Sequence, residues 1–145
     1  MAGELSHTIA EQITLTEYNF NGGEIPQHKR RNNIMKMLTS KNEKDLIDNH
    51  KFNYGKDVAP VVKLFGGSSC TWLLTEINPE TNTAFGLCDL GHGCPELGYV
   101  SLAELKSIKF PPFGLPIERD RNWEAKKSIN KYAEESRRLG FIQAY

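Results

Sequence analysis

The sequence predicts an α+β fold, in which a small antiparallel sheet packs against a C-terminal helix and a helical N-terminal extension precedes the sheet. Two observations lead to this prediction. Between Pro60 and Ser101, short runs of β-branched and aromatic residues are separated by glycine-bearing or polar turns, which is typical of antiparallel strands. Towards the C-terminus, less polar residues recur at helical spacing among charged ones, which indicates a helix that buries one face. These residues are Ala125, Ile129, Tyr132, Ala133 and Ser136.

The first third of the chain is predicted to be an appendage to this core. It is polar and weakly patterned, and it contains too few apolar side chains to build an interior of its own. We therefore divide the chain into a partly helical extension over residues 1–56 and an α+β core domain over residues 57–145.

Two helices are predicted in the extension. Residues 29–40 carry apolar side chains on one side of a helix, so this segment is expected to be amphipathic and docked. A second, shorter helix is predicted to begin at Asn42 or Glu43, to carry Leu46 inward and to be broken at Asn49.

Four strands are predicted in the core, and the second and third form a hairpin. The polar turn over residues 78–82 is of the kind that joins antiparallel neighbours. The strands are predicted at 61–65, 71–77, 83–88 and 97–101. We expect the core to include Trp72, Leu74, Phe85, Leu87, Val100, Ile129 and Tyr132.

The region after the sheet is predicted from local signals at the ends of helices. Ser101, with Glu104 three residues later, has the pattern of a capping box at the start of a short helix. Residues 109–116 hold three prolines and are predicted to be an irregular connector that closes the core. Asn122 is predicted to cap the last helix and Gly140 to end it.

Composition narrows the class of protein. Lysine and arginine balance aspartate and glutamate at 18 each, so no global charge attracts the chain to nucleic acid or to an anionic membrane. The cysteines Cys70, Cys88 and Cys94 are odd in number, which favours a reducing compartment over a disulfide framework. The apolar runs are too short for a membrane helix, and the N-terminus lacks the pattern of a secretory signal. We expect a cytoplasmic protein without a membrane partner.

One loop contains residue types that suit a metal. Cys88, His92 and Cys94 could supply thiolate and imidazole ligands to zinc. Their spacing is unlike that of structural zinc sites, and the alternative is that both cysteines pack while His92 is exposed. No cofactor is therefore expected, and the three residues remain weak candidates.

Charged residues near the same loop define a second candidate site. Asp89, Glu96 and Arg119 could bind a ligand at the glycine-bearing loop. The alternative is structural, with Asp89 accepting bonds from loop amides and Arg119 tying the connector to the sheet.

The only basic concentration lies in the extension. Lys29, Arg30, Arg31 and Lys36 could contact the phosphates of nucleic acid. No aromatic residues are interleaved with these charges, so stacking on single strands is not indicated. The alternative is a solvated helix face.

A long part of the chain resembles an uncharacterised family. Over roughly Pro60 to Gly140 it is similar to a domain of unknown function found in plasmid, integrative-element and phage proteins. This resemblance implies a gene that travels on mobile DNA, sometimes near antirestriction genes, but it implies no activity. The resemblance rests on 62–65, 71–76, 85–91, 93–102, 115–120, 132–133 and Gly140.

Three functions follow as expectations. The leading one, based on the resemblance and on the lack of a catalytic set, is a non-enzymatic accessory protein of phage or other mobile DNA. It is expected to bind a protein partner, such as a host-defence or anti-defence factor. The first alternative is nucleic-acid binding through the segment from Lys29 to Lys44. The second is a small metalloprotein or enzyme centred on the loop from Asp89 to Glu96.

Overall fold

A computed structural model describes residues 36–145 of the chain. It confirms the predicted α+β class. Its main sheet has five strands in the order β4-β3-β2-β1-β7, and every neighbouring pair is antiparallel. The elements are α1 (Ser40–Phe52), β1 (Val62–Gly66), β2 (Cys70–Asn78), β3 (Thr83–Asp89), β4 (Glu96–Ser101), α2 (Leu102–Ser107), β5 (Lys109–Phe110), β6 (Leu115–Pro116), β7 (Glu118–Arg119) and α3 (Ile129–Leu139).

Both faces of the sheet are covered, whereas the sequence predicts that the C-terminal helix covers one face. The reason lies in β2, where Trp72, Leu73 and Leu74 are successive residues with no exposed surface. Because side chains alternate between faces along a strand, such a run must be buried on both sides. Helices α1 and α2 cover the face of Trp72, and α3 covers the face of Leu73.

The predicted core residues divide between these two layers. Trp72, Leu74 and Val100 pack with Leu46 of α1, while Leu87 packs with Ile129 and Tyr132 of α3. Phe85 is only partly buried and lies opposite Tyr99 of β4. The hairpin predicted between the second and third strands is confirmed as β2–β3.

The N-terminal part of the described chain differs from the prediction. Residues 36–39 are not helical, and the rest of the helix predicted over 29–40 lies outside the described residues. Helix α1 begins at Ser40, where Thr39 and Asn42 form a reciprocal capping box. Asn49 does not end this helix, because its side-chain amide instead donates to the Thr75 carbonyl of β2 at 2.9 Å. The division between residues 56 and 57 stays a prediction.

The end of the last helix is predicted correctly but its start is not. Gly140 ends α3 in the left-handed conformation, with φ of 81°. The helix begins at Ile129 and not after Asn122. Its first amides are bound from a distant segment: the Val58 carbonyl accepts from Ile129 N at 2.9 Å, and Asp57 Oδ1 accepts from Asn130 N at 3.0 Å. A tertiary contact therefore replaces the local cap that the sequence indicates.

The middle of the chain is closer to expectation. Ser101 Oγ accepts from Glu104 N at 3.3 Å, which confirms the predicted start of α2. The connector over residues 109–116 is not irregular throughout, because β5 and β6 pair as a short hairpin. Its Phe110 side chain packs in the core beside α2. Among residues 36–145, no helix is long and apolar enough to cross a membrane.

Candidate functional site

The predicted loop site is organised around a buried carboxylate. Asp89 has 3% of its surface exposed. Its Oδ1 accepts from Gly91 N at 2.8 Å, and its Oδ2 accepts from Ile142 N at 3.1 Å. The bond from Gly91 is the loop-amide bond expected in the structural alternative. The bond from Ile142 is not predicted and comes from the C-terminal segment. Asp89 therefore holds the loop and the chain end together.

The other two members of this candidate site do not converge with Asp89. Glu96, at the start of β4, is exposed and pairs with Cys88, so its side chain lies on the opposite face of the sheet from that of Asp89. Arg119 lies in β7, three strand positions from β3 in the sheet order, which is about 14 Å at the usual strand spacing. Its Nη1 donates to the Lys36 and Met37 carbonyls at 3.1 and 3.4 Å. Arg119 thus ties the start of the described chain to the sheet.

The weak metal candidates are likewise not assembled into a site. Burial raises the pKa of the Cys88 thiol to about 12, which disfavours the thiolate that a metal requires. Burial, and to a smaller extent the Asp89 charge, also raises the pKa of Cys70. His92 and Cys94 are exposed. Within residues 36–145, no three histidine, cysteine, aspartate or glutamate side chains are grouped so that they could hold a metal ion.

The basic segment is described only at its end. Lys29, Arg30 and Arg31 lie outside the described residues, so their predicted contact with nucleic acid stays a prediction. Lys36 is exposed, and the hydrogen bond to it uses its backbone carbonyl.

A cavity that sequence reasoning missed lies at the opposite end of the sheet from the β1–β2 turn. Its volume is about 270 Å³. It is bounded by the C-terminal end of α1, the loop over residues 53–58, strands β2 to β4 and the first turn of α3. We call it the tyrosine cavity, because Tyr54 and Tyr99 line it together with Phe85 and Glu76.

An irregularity in β2 positions the polar group of this cavity. Leu74 pairs with Gly86 and Glu76 pairs with Phe85, so Thr75 is an extra residue that forms a β-bulge. The bulge places Glu76 opposite Phe85, whose ring centroid lies 5.0 Å from that of Tyr99. Two aromatic rings and a carboxylate are thereby brought together on three adjacent strands.

Helix α1 fixes the carboxylate from behind. Glu76 Oε2 lies 3.0 Å from His50 Nδ1, and the two side chains are only 13% and 27% exposed. A carboxylate accepts but does not donate, so His50 Nδ1 carries the shared proton. Because a partly buried carboxylate is costly without a partner, this bond stabilises Glu76 in a single orientation.

The mouth of the cavity is formed by two tyrosines. A hydrogen bond between the Tyr54 and Tyr99 side chains is the main cause that raises the pKa of Tyr99, with burial and the nearby Glu76 charge contributing less. The His50 ring meets Tyr54 edge-on, at 5.6 Å between centroids and 85° between planes. The same histidine thus contacts both Glu76 and Tyr54, two of the residues that line the cavity.

No linear motif links these residues, which explains why they were missed. His50 and Tyr54 lie in and just after α1, Glu76 is in β2 and Tyr99 is in β4. The one available signal is Glu76 itself, the single charged residue in the run that predicts β2. Chemically, the arrangement places aromatic faces beside the fixed carboxylate of Glu76, which suits binding of a polar or cationic group.

A second cavity, of about 370 Å³, lies between the start of α1, α2 and residues 116–117. It is lined mainly by aliphatic side chains, including Met37, Leu105 and Ile117, with Lys36, Glu43 and Lys106 at its edge. It combines fewer polar groups with no aromatic ring, so the tyrosine cavity is the stronger candidate.

The comparisons with known proteins identify the family alone. The family model described as "Protein of unknown function (DUF2958)" matches residues 37–143. The match begins before α1, so this helix and the whole described sheet lie within the family region, which is wider than the resemblance over Pro60 to Gly140. Searches of curated proteins and of solved structures gave no match. Since the family model covers well over half of the chain, the chain belongs to the DUF2958 family of proteins of unknown function.

Proposed function

We propose that this protein is a non-enzymatic accessory protein of phage or other mobile DNA, and that it acts by binding a protein partner. The partner belongs to host defence or to a system that counters it. The resemblance to proteins of plasmids, integrative elements and phages supports the genetic context. The surface around the tyrosine cavity supports the mode of action.

The observation that carries the proposal is an aromatic surface at the cavity mouth. We define it as Tyr54 and Tyr99, which line the cavity and are 65% and 41% exposed. Aromatic side chains are enriched at protein interfaces and often carry most of the binding energy there. Tyr99 lies in β4, and Tyr54 lies just after α1 in the loop over residues 53–58, so the surface joins a strand to the end of a helix.

Nucleic-acid binding receives less support from the described part of the chain. In α1, Lys41 and Lys44 pair with Asp45 and Asp48, both at 2.6 Å. In α3, Lys131 likewise pairs with Glu134, and Lys127, just before the helix, pairs with Glu135. A phosphate-binding face needs clustered, uncompensated positive charge. The segment from Lys29 to Lys44 remains the alternative interface.

Affinity capture from host lysate tests the proposal. We expect the immobilised full-length protein to retain a defined protein partner before and after nuclease treatment. A Tyr54→Ala, Tyr99→Ala double variant should lose the partner, with affinity reduced at least about 30-fold for the loss of interface anchors. The matched control is Phe113→Ala, which truncates an aromatic side chain that is 84% exposed on the β5–β6 hairpin.

The control should capture the same partner as the unchanged protein. Retention of the partner by the double variant, at unchanged affinity, would place the interface elsewhere. Loss of every captured protein after nuclease would instead favour the nucleic-acid alternative.

A further inference from the structure

We infer that the tyrosine cavity receives the cationic end of a lysine or arginine side chain from the protein partner. The inference rests on the proposed function and adds the chemistry of what is recognised. Its basis is the combination of a fixed carboxylate, electron-rich aromatic walls and a volume that fits one side chain.

The carboxylate provides the charge complement. Glu76 lines the cavity and is held through Oε2 by His50 at 3.0 Å. The second acidic residue in the lining, Asp57, accepts from the backbone amide of Asn130 at 3.0 Å, at the start of α3. Asp57 is therefore engaged by the first turn of α3, whereas Glu76 is positioned by the His50 side chain. Of the two acidic side chains in the lining, we take Glu76 as the one that binds the cation.

The one lysine in the lining is directed to a backbone carbonyl. Lys56 Nζ donates to the Phe52 carbonyl at 3.3 Å, in the manner of a residue that supports the end of α1. The negative charge of Glu76 also acts on Tyr99 at the cavity mouth, since it contributes to the raised pKa of Tyr99. A cation entering between the tyrosines would meet a favourable field along its path.

The aromatic walls favour the same kind of guest. The rings of Phe85 and Tyr99 are tilted by 58° to one another, and Tyr54 lines the same cavity. Cations are attracted to the faces of such rings, and ammonium and guanidinium groups are the usual guests. An anionic guest would be repelled by both the ring faces and Glu76.

The size of the cavity selects a side chain over a larger ligand. Its volume of about 270 Å³ lies just under the roughly 300 Å³ at which pockets for drug-sized ligands begin. Apolar residues such as Val58, Leu97 and Ile129 also line it. Lysine and arginine carry a long apolar stem with the charge at its tip, which matches apolar walls leading to a carboxylate.

The test uses capped tripeptides of the form glycine-X-glycine, titrated into the isotope-labelled full-length protein and followed by amide NMR shifts. We expect saturable shifts at the amides of Tyr54, Glu76 and Tyr99 when X is lysine or arginine. The peptide with norleucine, which has an uncharged side chain of similar length to that of lysine, should bind about 10-fold more weakly. The peptide with glutamate should not bind.

A variant of Glu76 tests whether its carboxylate is responsible for the preference for a cationic side chain. Glu76→Gln keeps an acceptor for His50 but removes the charge, so it should weaken the lysine peptide about 10-fold and leave the norleucine peptide unchanged. The matched control is Glu80→Gln in the exposed β2–β3 turn, which should change neither affinity. If Glu76→Gln fails to fold, the comparison of lysine with norleucine on the unchanged protein decides the question.

Two results would overturn the inference: equal binding of the lysine and norleucine peptides, or no saturable shift with either cationic peptide at millimolar concentration. Its failure is separable from that of the proposed function. If the Glu76→Gln variant captures the partner with unchanged affinity, the inference of a bound cation is wrong, but the proposed protein interface stands. The same conclusion follows if the Tyr54→Ala, Tyr99→Ala double variant loses the partner while no tripeptide binds to the unchanged protein.

Discussion

Leu46 in α1 provides a sharp test of how the N-terminal part of the described chain relates to the sheet. Its side chain has no exposed surface and packs in the same cluster as Trp72 and Leu74. Truncation to alanine keeps a strong helix former, so the loss reports on packing and not on helix formation. The cost of such a change in a packed core is about 3 kcal/mol, within a range of roughly 2 to 5.

Urea unfolding measures this cost directly. With a denaturant slope of about 2 kcal/mol per molar, typical of a small domain, the midpoint should fall by about 1.5 M. The transition should be followed both by tryptophan fluorescence, to which the buried Trp72 and the partly buried Trp123 contribute, and by far-ultraviolet circular dichroism. Lys44→Ala, on the exposed side of the same helix, is the matched control and should leave the midpoint unchanged.

A midpoint shift no larger than that of the control would refute the reasoning. So would two separate transitions, with helical signal lost before the tryptophan signal, because α1 would then be an appendage that melts independently of the sheet. A single cooperative transition in the Leu46→Ala variant would make α1 part of the core and move the predicted division between residues 56 and 57 towards the N-terminus.

The remaining predictions concern the sheet and the loop after β3. Gly86→Ala should destabilise by about 3 kcal/mol, because its Cβ would lie 2.0 Å from a backbone oxygen of β2, whereas Gly98→Ala, with nothing within 4 Å, should be tolerated in the same urea assay. Asp89→Ala should cost about 2 kcal/mol by leaving two amides without their acceptor, and amide exchange at the chain end should quicken. Thiol labelling followed by mass spectrometry at pH 8 to 9 should modify Cys94 and spare Cys88. Because the pKa of Cys88 rises from 9.0 to about 12 on folding, the unfolded chain loses this proton first, and stability should fall as the pH rises from 9 towards 12. Flat stability over this range would contradict the raised pKa of the Cys88 thiol.

The site predictions show how residue type alone can mislead. Asp89, Cys88 and His92 are close in sequence and of suitable chemistry, yet the first binds backbone amides, the second is a partly buried thiol with a raised pKa and the third is exposed. The tyrosine cavity has no such sequence cluster. Its carboxylate, Glu76, is marked in the sequence only as the single charged residue of its strand.

Local signals in the sequence determine much of this fold. The alternation of apolar runs and polar turns predicts β1 to β4 and the β2–β3 hairpin, because strand pairing across a short turn needs no distant information. Ser101 and Gly140 are likewise correct as helix boundaries, since a hydroxyl at an N-cap and a glycine at a left-handed position act on their immediate neighbours.

The tertiary structure alone decides the features that depend on distant partners. Helix α3 begins at Ile129 because Asp57 and Val58 bind its first amides. The second face of the sheet is covered because α1 folds onto it, and Asn49 stays helical because its side chain reaches β2. The tyrosine cavity has the same origin: its residues are brought together by a bulge, a helix end and a strand register, and the free energy of contacts between distant residues is not written in any one segment.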